Sequence, residues 1–215
     1  MPFNPRLQNR AEVPMKSSTL VIDNSGKRLH LRGLRRSFFE RDPRVVAPEL
    51  LNKILLRDDG RAGRIVEVEA YCGAEDPAAH TFRGPTQRNR SMFGPAGHLY
   101  VYFTYGMHWC ANAVCGPEGT GWGVLIRAVE PIAGIELMRP LRPRARRDRD
   151  LASGPARFTQ AFGIDGSFDG ADIIRNDRGV RVMTDGTPPP DTPRVGPRVG
   201  ISSGKEFAWR WRIPA

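Results

Sequence analysis

Three segments of period-two character constrain this chain more than any other feature. Arg64 to Tyr71 reads Arg-Ile-Val-Glu-Val-Glu-Ala-Tyr and alternates apolar with polar residues. Val66, Val68 and Ala70 fall on one face, and Glu67, Glu69 and Tyr71 on the other. Leu99 to Thr104 alternates again and places Tyr100, Tyr102 and Thr104 together. Gly123 to Val129 is a third strand candidate. Helical signals lie between and after these strands, with no repeats and no alternating strand–helix series of the doubly wound kind. That order predicts an α+β fold.

The remaining elements follow from local signals. A helix starts at Pro48, tolerated in a first turn, and runs into a strand ending at Leu56. Asp58-Asp59-Gly60 reads as a hairpin turn. Residues 72–98 are mostly loop. Tyr105-Gly106-Met107-His108 is a turn, and Trp109 to Cys115 the returning strand. Ile132 to Leu141 reads as a helix that Pro143 ends. A further helix starts at Ser153-Gly154-Pro155 and continues over Arg157 to Phe162. Residues 185–198 are irregular, and Phe207 to Ile213 alternates as a last strand. Residues 1–33 read as a basic N-terminal extension, partly disordered, and 34–215 as the folded domain.

Charge points to the class of partner. The 215 residues carry 33 Lys+Arg against 23 Asp+Glu, a net charge of +10. Such a protein gathers at polyanions, because each neutralised phosphate releases counterions. No apolar run is long enough to span a membrane. The first sixteen residues lack the apolar stretch of a secretory signal. Three cysteines, Cys72, Cys110 and Cys115, are too few and too irregular for a disulfide framework, which favours a reducing cytoplasm.

Chemistry concentrates between positions 67 and 112. All four tyrosines lie between 71 and 105, and His80, His98 and His108 lie between 80 and 108. Rings with polar tips suit the walls of a pocket for a flat ligand, and equally suit the edge of a β-core. Glu67 and Glu69 share one strand face. A carboxylate beside rings has a raised pKa and suits a general base, whereas a solvent-facing pair would be inert. The histidines and cysteines lack zinc spacing, and no dinucleotide fingerprint, phosphate loop or nucleophile elbow is present. The run Arg139, Arg142, Arg144, Arg146, Arg147, Arg149 is either a solvated face or a track for a nucleic-acid backbone.

Several ordered blocks strongly resemble the alkyladenine (3-methyladenine) DNA glycosylase family. They are Arg64 to Tyr71, Glu75 to His80, Arg88 to Phe93, Leu99 to Met107, Arg127 to Pro131 and Leu151 to Pro155. The resemblance runs from about Phe38 to the C-terminal tail. It implies one compact domain around a curved, largely antiparallel sheet with a protruding β-hairpin. The implied activity is removal of damaged purines from double-stranded DNA, leaving abasic sites, with no cofactor and no metal. A monomer is expected, located in the bacterial cytoplasm with the nucleoid, or in a nucleus.

Residue by residue, the resemblance makes Glu69, not Glu67, the base that activates water, with Arg127 holding that water. Tyr71 and Tyr102 match walls that sandwich the base, with His80 on the remaining side. Asn112 matches a residue that crowds the exocyclic amine of normal guanine, and Val199 one that approaches the base. Tyr105 matches an intercalating wedge supported by Met107. His108 departs from the tyrosine of the mammalian members. Two other readings share parts of this set: a non-catalytic DNA-binding protein and a hydrolase of free nucleosides.

Overall fold

The alternating segments at 64–71 and 123–129 lie side by side in the middle of one sheet. The computed structural model describes residues 18–214. Its strands are β1 (Ser18–Ile22), β2 (Arg28–Gly33), β3 (Ile54–Arg57), β4 (Ala62–Cys72), β5 (Leu99–Thr104), β6 (His108–Cys115), β7 (Trp122–Ala133), β8 (Val180–Thr184), β9 (Arg194–Gly196) and β10 (Arg210–Arg212). All of their pairings are antiparallel. The main order is β1-β2-β8-β3-β4-β7-β6-β5, with β10 joining β4 to β9. Four short helices complete the α+β domain: α1 (Arg36–Phe39), α2 (Pro43–Leu50), α3 (Ile135–Met138) and α4 (Pro155–Phe162).

The two faces of the central strands have different fates. Val68 and Ala70, Val124 and Ile126, Ala111 and Ala113, Leu99 and Val101 point back into the main core. There α2 and α4 cover them with Val46, Leu50, Phe158 and Phe162. The front face carries Glu69, Tyr71, Leu125, Arg127, Cys110, Asn112, Tyr100 and Tyr102, brought together by the register Glu69↔Leu125↔Asn112↔Tyr100. One departure from plain alternation is instructive. The β4–β7 ladder shifts register between Ile65 and Glu67. Ile65 therefore joins Val68 and Ala70 in the core, and Val66, expected there, is only half-buried.

The β5–β6 hairpin closes through Tyr105-Gly106-Met107. Tyr105 (φ 52°) and Gly106 (φ 66°) are both left-handed, and Met107 N–H donates to Thr104 O at 3.2 Å. This is the handedness that suits a tight hairpin. Glycine adopts it freely; a tyrosine does so at some strain. The tip leaves Tyr105 79% exposed.

Of the N-terminal extension, residues 18–33 form a packed hairpin and residues 1–17 lie outside the described residues. Val21, Leu29 and Leu31 bury against Ile54, Leu56 and Met183, and Asp23 Oδ1 ties the turn by accepting from Ser25 and Lys27 N–H, each at 2.9 Å. The first long helix begins at Pro43, capped by Asp42, so Pro48 lies inside it. An N-cap followed by proline is the stronger start signal. Ile132 is not helical: β7 runs to Ala133, and Gly134 (φ 70°) admits only the four residues of α3. Pro131 is tolerated within β7 because it pairs with Gly63 at a register shift. Residues 197–200 lie in the loop between β9 and β10.

Candidate active site

The front face floors a cavity of about 860 Å³. Its walls come from β4 to β7, from the loop 77–92 and from the loop 199–203. Tyr71, His80, Tyr102, Tyr105, Asn112, Arg127 and Val199 all border it, although they span 129 positions of sequence from first to last bordering loop end (71 to 199, inclusive). Met107 stands outside at the hairpin tip, 67% exposed.

Glu69 lies just beneath this surface, with no solvent exposure. Three donors hold its carboxylate, each from a residue that borders the cavity. Tyr71 OH donates to Oε2 at 3.0 Å, Arg127 Nη1 to Oε2 at 3.1 Å, and Val199 N–H to Oε1 at 2.8 Å. An ionised carboxylate offers about four acceptor positions. Oε1 thus retains capacity for a water. Burial raises the Glu69 pKa above its ordinary value; Arg127 is the chief influence pulling it down, followed by the Val199 N–H and the Tyr71 hydroxyl. The contest between burial and the guanidinium, open at the level of sequence, is won by burial.

Arg127 is shared. Its Nε donates to Glu67 Oε1 at 3.1 Å while Nη1 serves Glu69. Glu67 is the more exposed carboxylate and also faces Arg210 Nε at 3.7 Å. Strand alternation alone had left the two glutamates equivalent; their burial and partners make them different.

The rings are ordered as a cluster. Tyr102 stacks on Tyr100 with centroids 5.1 Å apart, and His80 meets Tyr102 edge-on at 4.5 Å. The His80 ring therefore stands nearly perpendicular to that of Tyr102, with 82° between their planes. His80 Nδ1 lies 3.2 Å from Tyr100 OH, and its main-chain oxygen accepts from Asn89 Nδ2 at 2.9 Å. Burial, aided by Arg88, lowers the His80 pKa and favours the neutral imidazole. Asn112 is buried, its Nδ2 donating weakly to Tyr100 O at 3.4 Å.

Sequence reasoning missed two supports. Tyr100 was on the correct strand face but had no role assigned; it anchors both His80 and Tyr102. Asp76 and Arg198 form a buried ion pair behind Tyr71, and nothing in the sequence links residues so far apart. Among the described residues, no three His, Cys, Asp or Glu side chains gather as a metal ion would need, and no helix is long and apolar enough to cross a membrane. Cys72, Cys110 and Cys115 are buried free thiols.

A fully buried carboxylate thus lies beneath a ring-lined cavity on a protein of charge +10. Comparison with known proteins gives the class. The family model for methylpurine-DNA glycosylase (MPG) matches residues 37–215. A protein of Burkholderia lata, named as a candidate 3-methyladenine DNA glycosylase, is 63% identical over 181 residues, covering 84% of this chain and 87% of its own. Similarly named proteins of Streptomyces avermitilis and Methanoculleus marisnigri are 50% and 46% identical, each over 84% of this chain and over 87% and 94% of their own lengths. This chain belongs to the methylpurine-DNA glycosylase family, and is accordingly a hydrolase with DNA as its substrate.

Proposed function

We propose that this enzyme turns an alkylated or deaminated purine nucleotide out of double-stranded DNA, hydrolyses its N-glycosidic bond with water, and leaves an abasic site. The single observation that carries this reading is Glu69, a fully buried carboxylate held by three groups that all border one cavity.

The chemistry follows from that placement. Glu69 accepts a hydrogen bond from a water at Oε1 and takes its proton as the water oxygen bonds to C1′ of the sugar. The C1′–N9 bond breaks, and its electron pair leaves with the base. A cationic alkylated purine departs neutral and needs no proton, whereas a neutral deaminated purine departs as the anion and takes up a proton from water. The charge of Glu69 also favours the positive sugar of the transition state. Arg127 holds the carboxylate and approaches the same water.

Recognition falls to the walls. The base stacks between Tyr71 and Tyr102, with His80 on the remaining side, an interaction of roughly 1–3 kcal/mol per base. Asn112 opposes the exocyclic amine of unmodified guanine, which is selection by obstruction. Val199 approaches the base from the loop 199–203. Tyr105 enters the vacated space in the duplex, with Met107 beside it, and offsets part of an unstacking cost of about a few kcal/mol. One duplex lesion needs one pocket, which fits a monomer working where the DNA lies, in the cytoplasm with the nucleoid or in a nucleus.

The test uses duplexes each carrying one 3-methyladenine, 7-methylguanine, hypoxanthine or ethenoadenine. After incubation with protein, alkali cleaves at abasic sites. Cleavage at the lesion alone is expected. No cleavage in any duplex would reduce the protein to a DNA-binding role, and equal release from free nucleosides would replace the duplex reading.

A further inference from the structure

A second buried charge stands behind the Tyr71 ring. Arg198 and Asp76 both have fully buried side chains, and Arg198 Nη2 donates to Asp76 Oδ1 at 2.8 Å while Nη1 engages Oδ2. Asp76 is fixed in turn by the N–H groups of Cys72 at 3.2 Å and Ala78 at 3.0 Å. The Arg198 guanidinium lies 4.7 Å from the centroid of Tyr71 and 5.1 Å from that of Trp209. Tyr71 borders the cavity and Arg198 does not. The cation therefore occupies the ring face turned away from the ligand.

This is a costly way to fill space. A buried ion pair is often no more stable than an apolar pair of equal volume. Here the burial is not even fully compensated, since Arg198 Nε has no acceptor among the described residues. The position explains more than the packing does. Arg198 backs the ring that meets the base, and its neighbour Val199 supplies the N–H bound to Glu69.

We propose that Arg198, held by Asp76, is a positioning residue that sets how the pocket discriminates between cationic and neutral purines. The inference rests on the glycosylase reading above. A ring face attracts a cation through its quadrupole. With a guanidinium already on its far face, Tyr71 attracts a second cation less strongly on its near face. Arg198 is the member of the pair in contact with the ring, so its charge dominates there. Purines alkylated at N3 or N7 are cationic in DNA, and deaminated purines are neutral. Arg198 thus weakens the advantage of the first class and widens the pocket to the second.

The test compares single-turnover base release from duplexes containing 7-methylguanine, which is cationic, or hypoxanthine, which is neutral. The double variant Asp76→Asn/Arg198→Gln replaces the ion pair by neutral amides. Its rate ratio of cationic to neutral lesion is expected to rise by about three- to thirtyfold. Asp76→Asn alone keeps the cation and removes its counter-charge, so its ratio should fall. A merely structural role would slow both lesions in parallel and leave the ratio unchanged in both variants, which overturns the proposal. If one variant fails to fold, the ratio in the other decides. Wild-type protein that releases neither base would instead defeat the glycosylase reading, a result distinct from an unchanged ratio in active variants.

Discussion

The hydroxyl of Tyr71 donates to Oε2 of Glu69 at 3.0 Å, so one wall of the cavity and its carboxylate form a single unit. They are two residues apart on β4, where strand geometry sends both side chains to the same face. A base resting on that ring lies next to the carboxylate without further adjustment. The same bond raises the Tyr71 pKa, after burial and the Glu69 charge, and keeps the phenol neutral and donating.

Replacing Glu69 by Gln preserves the volume and removes the proton acceptor. Single-turnover base release should fall by about 10²- to 10⁴-fold. Binding to lesion DNA should persist, because the rings and the hairpin are untouched. Release at the wild-type rate would remove Glu69 from the mechanism.

In the proposed mechanism Arg127 sets the working pH. Glu69 acts as a base only when ionised, and its pKa is raised above 4.5 by burial. The rate must therefore decline as pH falls through that raised value, giving an acid limb above the ordinary carboxylate range. Arg127→Gln deletes the strongest influence opposing burial, and the limb should move further towards neutral pH. Breaking this buried pair should also lower stability by about 3–5 kcal/mol. A pH–rate profile with its limb unmoved would show that Arg127 does not tune the base.

At the hairpin tip, stability and function should separate. Tyr105 holds a left-handed backbone that asparagine tolerates better. Tyr105→Asn should stabilise the fold by roughly 0.5–1 kcal/mol, seen as a higher Tm. Affinity for an abasic-site duplex should drop in the same variant. Unchanged affinity would argue against intercalation.

The first hairpin should matter for stability alone. Leu31 has no solvent exposure and packs in a cluster separate from the cavity. Leu31→Ala should cost about 2–4 kcal/mol. Its kcat should match wild type at temperatures where the variant is folded. A loss of kcat without a loss of Tm would contradict this division.

Local pattern was enough to place β4, β5, β6 and the core of β7, because alternation over several residues has one favourable outcome when one face is buried. It also put Glu67, Glu69 and Tyr71 on a common face. Where two local signals competed, the outcome lay elsewhere: Gly134 and the β4–β7 ladder decided residues 132–141, and the apolar surface of Ile54, Leu56 and Met183 decided residues 18–33. Sequence alone determined that a carboxylate and several rings would share one region of a basic protein. Strand alternation left Glu67 and Glu69 equivalent and the family resemblance chose Glu69; tertiary structure supplied the physical difference, by burying Glu69 under donors from three segments, and only it joined Asp76 to Arg198. Burial and long-range pairing depend on what the rest of the chain brings alongside, and no local window contains that information.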